Sequence, residues 1–478
     1  MAKKPGALTL TALSTVPLIM VLGNSMLIPI LPKMKSVLDI TQFQTSLVIT
    51  LFSIPAGLTI PLAGFLADSY GRKKVVIPAL IIYGLGGIVA GLAAVFAKNA
   101  FTLLLVGRVI QGIGAAGTAP IAMALAGDLY KGKERGKALG TIEAANGMGK
   151  VISPILGALI ATIAWYATFF VFPVLCIPAA AAVYFLVKEP TKSSKKQSLK
   201  EYVQGLKTIF KARASLLLPA FFAGSVILYL LFGVLFYLSD FLEKKIGVGG
   251  VKKGLLLAIP VLAMASTSLI TGRIIKKQKK LMKLLVVIGS FIVAGSFVAL
   301  SFFENIYFYF ACVIFMGIGS GLTLPCLNTM ITSAVTMARR GAITALYGGV
   351  RFIGVALGPP IFGALANYGK VVLFLSHGVL AALAGVLAWV FIKPQQIKPV
   401  KGGQGASTQS DPASAKAVPE DTTSESETTK SALAPAARWG RWLFETVTLR
   451  NTIGPLVLRK PLKEQDREAP DSEEKQKQ

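Results

Sequence analysis

Twelve apolar runs, each of about twenty residues, constrain this chain more than any other feature. They cover approximately 8–31, 44–67, 75–97, 101–125, 138–161, 164–187, 214–239, 254–272, 282–303, 306–332, 342–366 and 371–392. A hydrocarbon layer about 30 Å thick is crossed by about 20 helical residues. In lipid the backbone can hydrogen-bond only to itself, which leaves helices or closed barrels, and uninterrupted runs of this length are helices. Glycines and prolines punctuate them (Pro55, Gly84, Pro120, Pro154, Pro260, Pro325, Pro359, Pro360). Such breakers are tolerated in membrane helices, where neighbours re-satisfy freed carbonyls and small residues allow close packing. The first run follows Lys3 and Lys4 but is too long for a signal-peptide core, and no small-residue cleavage site follows it. The expectation is an all-α polytopic membrane protein with twelve transmembrane helices.

Charge then becomes a question of topology. The 478 residues hold 50 Lys+Arg against 22 Asp+Glu, a net charge of +28, yet 54% of them are hydrophobic. In a soluble domain that basicity would point to nucleic acid; here the apolar fraction excludes nucleic acid as a partner, and with it bulk disorder and an ordinary cytosolic enzyme. With the N-terminus inside, basic residues favour the cytoplasmic loops by roughly three to one, so both termini are expected in the cytoplasm. The three cysteines, Cys176, Cys312 and Cys326, and the one histidine, His377, all lie in apolar stretches without metal-ligand spacing. No nucleophile–base set or phosphate-binding loop accompanies them, so neither a metal site nor an enzyme is expected.

The chain repeats itself. Gly112-Ile-Gly-Ala-Ala-Gly-Thr-Ala-Pro120 matches Gly317-Ile-Gly-Ser-Gly-Leu-Thr-Leu-Pro325, Arg135-Gly136 matches Arg340-Gly341, and Pro154-Ile-Leu-Gly-Ala158 matches Pro360-Ile-Phe-Gly-Ala364. Segments 4–5 are thus echoed by segments 10–11 in the same orientation, an arrangement of two parallel six-helix bundles related by pseudo-symmetry around a midplane cavity. The expected organisation is a cytoplasmic N-terminus (1–7), a first bundle (8–187), a basic cytoplasmic linker (188–213), a second bundle (214–392) and a largely disordered cytoplasmic tail (393–478). In the linker Tyr202, Leu206, Ile209 and Phe210 recur at helical spacing among lysines, as in an amphipathic helix on a membrane surface or a solvated linker helix.

Three motifs carry a resemblance. Between segments 2 and 3 stands Gly64-Phe-Leu-Ala-Asp68-Ser-Tyr-Gly71-Arg72-Lys73-Lys74; segment 4 holds Arg108-Val-Ile-Gln111-Gly112-Ile-Gly114; segment 5 holds Gly149-Lys-Val-Ile-Ser153-Pro154-Ile-Leu-Gly157-Ala158. Together they resemble the diagnostic places of the major facilitator superfamily, in particular its twelve-helix bacterial drug:proton antiporters. The resemblance implies gating by Gly64, Asp68, Gly71, Arg72 and Lys73, with Asp68 capping segment 11 near Gly341 and Arg72 paired with Asp128. It implies helix packing through Gly149, Pro154 and Gly157, although Ser153 and Ala158 stand where glycines are usual. It also implies proton coupling through Arg108, proton motive force in place of any cofactor, and residence in a bacterial cell membrane as a monomer among lipids.

Charges within the apolar runs locate the candidate cavity. Glu143, Asn146 and Lys150 share one face of segment 5. Counted from Lys137, Glu143 lies about 9 Å and Lys150 about 20 Å into the membrane. The repeat maps Asn146 onto Arg351 of segment 11, with Tyr347 one turn before, and Asn24 is the polar residue of segment 1. Ionisable residues at such depth are functional candidates. Glu143 is the expected proton carrier, and Asn146, Lys150, Arg351, Tyr347 and Asn24 the expected substrate cavity. The resulting expectation is proton-coupled, multidrug-type export of amphipathic small molecules by alternating access. Arg108, Lys150 and Arg351 against Glu143 leave the cavity positive, which makes a dedicated exporter of an anionic metabolite such as a siderophore, or of a lipid-linked substrate, the alternative.

Overall fold

A computed structural model describes residues 6–189, 198–275, 278–303, 305–336 and 339–397. The tail expected from 393 lies outside the described residues beyond 397, as do the first five residues and part of the linker.

Every regular element described is helical. The first half comprises α1 (Ala7–Ser25) with its extension α2 (Leu31–Leu38), α3 (Gln42–Tyr70), α4 (Arg72–Phe96), α5 (Ala100–Ala116), α6 (Ala119–Leu129), α7 (Gly132–Ile160) and α8 (Ala167–Leu186). The second comprises α9 (Leu199–Ile246), α10 (Gly250–Ile275), α11 (Lys279–Phe302), α12 (Ile306–Ser333), α13 (Arg340–Leu365) and α14 (Lys370–Phe391). Counting α1–α2 and α5–α6 as one crossing each gives the twelve expected passes. Eleven are long and apolar enough to span a membrane by composition alone. The remaining one is α7, whose apolar character is diluted by Glu143, Asn146 and Lys150.

Local chemistry sets the helix limits. Thr41 accepts from the N–H of Gln44 while the Gln44 side chain accepts from the N–H of Thr41, and Ser198 and Glu201 do the same for α9. Gly71 turns α3 into α4 at φ +108°, a conformation that disfavours any side chain.

The repeat is visible as packing. In the first half α4 packs on α5 and α8, α3 on α5, and α1 on α7; in the second α11 packs on α12 and α14, α10 on α12, and α9 on α13. These are the same pairs in the same order. The halves then join by α3 against α13 and α7 against α10, again a symmetry-related pair. The α3–α13 seam is tight along its length. A Cβ on Gly349 would stand 2.5 Å from the Gly57 carbonyl oxygen, and Thr50 Oγ1 donates to Ala356 O at 2.7 Å. The α7–α10 seam closes at one end, where Gly254 lies against the Pro154 carbonyl. On the same faces further along, Gly147, Gly140 and Gly272 have open space around them.

Two elements depart from the sequence reading. The run 101–125 is two helices, broken at Gly117 and Thr118, whereas its repeat partner α12 continues through Pro325. At the position of Gly117, which packs on the Ala79 methyl, α12 has Leu322. The linker helix does not lie out on a surface. It runs directly into segment 7 with a kink at Arg213, and its apolar face turns inward. Tyr202 packs edge-on against Phe65, and its hydroxyl donates to Pro61 O at 3.4 Å, so α9 straps across to α3.

Candidate functional site

The signature turn is held by charges from four helices. Arg72 at the start of α4 lies 2.6 Å from Asp128 at the end of α6 and 3.6 Å from Asp68 one turn earlier, and its Nη1 also donates to Ala124 O. Asp128 is the partner the resemblance implied for Arg72. The Asp68 carboxylate sits 3.3 Å from where a Cβ of Gly341 would stand, facing the first turn of α13. Sequence reading missed Glu189. Its carboxylate accepts from the N–H groups of Arg72 (2.6 Å) and Lys73 (3.1 Å), capping α4, where a negative charge also opposes the helix dipole. Lys73 reciprocates at the other pole, donating to the carbonyls of Tyr184 (2.6 Å) and Val187 (2.9 Å) at the end of α8. An acid just beyond a predicted helix end was the available signal, but its partners lie more than a hundred residues away.

Arg108 is wholly buried, and each of its three nitrogens is hydrogen-bonded. Its Nε donates to Val48 O (2.8 Å), Nη1 to Gln111 Oε1 (2.7 Å) and Nη2 to Asn24 Oδ1 (2.6 Å), with the Phe52 ring 4.4 Å from the guanidinium. Asn24 Nδ2 in turn donates to Ser53 Oγ at 2.7 Å. Asn24, expected in the substrate cavity, is therefore corrected. It is buried, with both ends of its amide committed to holding Arg108 between α1, α3 and α5. The same network shows why an arginine persists there: each bond reaches a neutral acceptor, and a charge at that depth requires such partners.

The α7 face is different. Glu143 is exposed and Asn146 and Lys150 are half-buried, all three beside the open part of the α7–α10 seam. Lys150 lies within electrostatic reach of Glu143 and of Arg351 on α13. Asn146 Oδ1 and Arg351 Nε are buried atoms without a hydrogen-bond partner. Tyr347 needs a second correction: it is 1% exposed and wedged against Gly224 and the Phe221 ring, 5.3 Å from the Arg351 guanidinium and with its hydroxyl unpartnered. Helical spacing placed it on the right helix but one face too deep.

In the segment 5 motif, Gly157 admits the Met26 carbonyl, Pro154 meets α10, and Gly149 lies against Leu18. Ser153, in the place of a usual glycine, is fully buried with an unpartnered hydroxyl.

A helical bundle of this symmetry, with a charge-linked turn at one end and unpartnered polar groups on α7 and α13, has the architecture of a membrane transporter. The Major Facilitator Superfamily profile matches residues 13–354 and 283–447, and the chain belongs to that family. It is a multi-pass membrane protein. It is 47% identical over 366 residues, 76% of this chain and 91% of the relative, to a bacillibactin exporter of Bacillus subtilis (strain 168). A multidrug resistance protein 2 of the same organism is 24% identical over 377 residues, covering 77% of this chain and 92% of the relative. Among solved structures, the human organic anion transporter MFSD10 superposes with a TM-score of 0.65 at 16% identity, over 81% of this chain and all of that one, a likeness of fold.

Proposed function

We propose that this transporter exports an anionic, siderophore-type metabolite by alternating access, driven by proton exchange at Glu143, with both termini in the cytoplasm. The observation that carries the reading is the 47% identity, across nine-tenths of its length, to a bacillibactin exporter. The chemistry of the central space supports it. Lys150 and Arg351 outnumber Glu143, and unpartnered donors and acceptors around them suit a cargo that brings negative oxygens and hydroxyls. Glu143 is the carboxylate of that face and is exposed. Multidrug export of amphipathic cations is the rival reading, favoured by the more distant multidrug relative.

Reconstitution into proteoliposomes separates the two. With an imposed pH gradient, a catecholate siderophore is expected to be moved against its gradient and to be competed by other aromatic anions. Transport of a lipophilic cationic dye, competed by cations alone, would overturn the proposal.

A further inference from the structure

At the end of the molecule opposite the signature turn, the halves line a partly open recess of about 160 Å³ between α2, α3, α9 and the turn after α13. Lys35, Gln42, Tyr237, Asp240, Lys244 and Asn367 line it. Lys35 comes from the first half and donates to Gln42 Oε1 at 2.9 Å; Lys244 comes from the second and lies 3.1 Å from Asp240 Oδ2. Both lysines and Asp240 line the same recess, and Asp240 is the acid among its lining residues, so the recess carries an excess positive charge. The other oxygen of that carboxylate, Asp240 Oδ1, is buried and accepts no hydrogen bond. One wall is aromatic, formed by the Tyr237 and Phe236 rings.

These three features specify a ligand jointly. The paired lysines call for a negative oxygen. The orphan carboxylate oxygen calls for a hydrogen-bond donor, since a buried acceptor left unpaired is unfavourable. The aromatic wall calls for a flat apolar body. The volume admits one substituted ring, well short of the pockets of about 300 Å³ and upward that hold drug-sized molecules. We propose that this recess is a binding site for a small aromatic hydroxy acid, its carboxylate bridging Lys35 and Lys244 and its hydroxyl donating to Asp240 Oδ1. Because the two lysines belong to different halves, an occupant fastens the halves together at this end. The site stands apart from the central face and does not depend on what is transported or in which direction.

The test is direct binding of 3-hydroxybenzoate to the full-length protein in nanodiscs, read by saturation-transfer NMR with benzoate and phenol as comparators. Saturable binding is expected, stronger for 3-hydroxybenzoate than for either comparator. The double substitution Lys35→Gln, Lys244→Gln is expected to weaken it about tenfold. Asp240→Asn, which retains both lysines, is expected to bring 3-hydroxybenzoate and benzoate within about twofold of each other. Absence of saturable binding to the wild type would overturn the proposal. So would binding unaffected by the double substitution in protein that remains monodisperse, or binding removed by Lys150→Gln instead. Should the double variant not fold, Asp240→Asn decides alone: an unchanged preference for the hydroxylated acid sinks the assignment.

Discussion

Arg108 and Arg351 are both arginines in apolar helices, and the protein treats them oppositely. Around Arg108, α1, α3 and α5 supply an acceptor for Nε, Nη1 and Nη2 and an aromatic face beneath. Arg351 has a ring beside it and an Nε without a partner, and Lys150 nearby makes no side-chain bond among the described residues. A buried charge whose three nitrogens are all hydrogen-bonded is part of the architecture, because removing it orphans its partners. One left incomplete is held in readiness for something that comes and goes. On the proposed reading, the difference makes Arg108 a bonded strut between helices and leaves Lys150 with Arg351 for the cargo.

The largest effect should fall on the satisfied side. Arg108→Leu leaves Asn24, Gln111 and the Val48 carbonyl without their donor, and is expected to destabilise the folded protein by about 3 kcal/mol, read by thermal unfolding in detergent. Lys150→Gln and Arg351→Gln should each change stability by less than about 1 kcal/mol, and a larger loss there than at Arg108 would break the contrast. Transport should reverse the order. Each of these two substitutions is expected to lower export of an anionic substrate about tenfold, chiefly through KM, with Arg351→Lys recovering part of it. Glu143→Gln sharpens the comparison within one helix face. It should abolish the response of net export to an imposed pH gradient while substrate counterflow across the same vesicles continues; an unchanged gradient response would remove Glu143 from the coupling. The smallest effect on transport is expected at the signature turn, where Glu189→Gln weakens the cap on α4 by about 1 kcal/mol and leaves substrate preference unaltered.

Much of this was legible before any coordinates. The twelve passes followed from hydrocarbon thickness, and the repeat offset carried over to contacts that no motif contains. Arg135 packs at Gly127 just as Arg340 donates to the Thr332 carbonyl, and both pairs are separated by the same eight positions. The meeting of Arg72 with Asp128 came from the family resemblance of the signature turn. What failed were questions of neighbourhood. Helical periodicity says which face a residue occupies and not what stands opposite, so Asn24 and Tyr347 looked like cavity residues while one held Arg108 and the other filled the space beside Gly224. Glu189 depends on a turn that is distant in sequence. Lys35 and Lys244 were counted as loop charges, and nothing in their local sequence says that they converge. The break at Gly117 is legible only by contrast with Leu322, because both stretches carry the proline.

The incomplete charges on α7 and α13 also have an electrical meaning. On the proposed reading, Lys150 and Arg351 against Glu143 leave the empty cavity with one surplus positive charge, and alternating access connects that cavity first to one aqueous compartment and then to the other. A membrane potential of 100 mV is worth about 2.3 kcal/mol for each charge that crosses it. With the cell interior negative, the unloaded carrier is therefore biased to face the cytoplasm, where its cargo is made. An anion that neutralises the cavity lifts that bias, so the voltage returns the empty protein and scarcely opposes the loaded one.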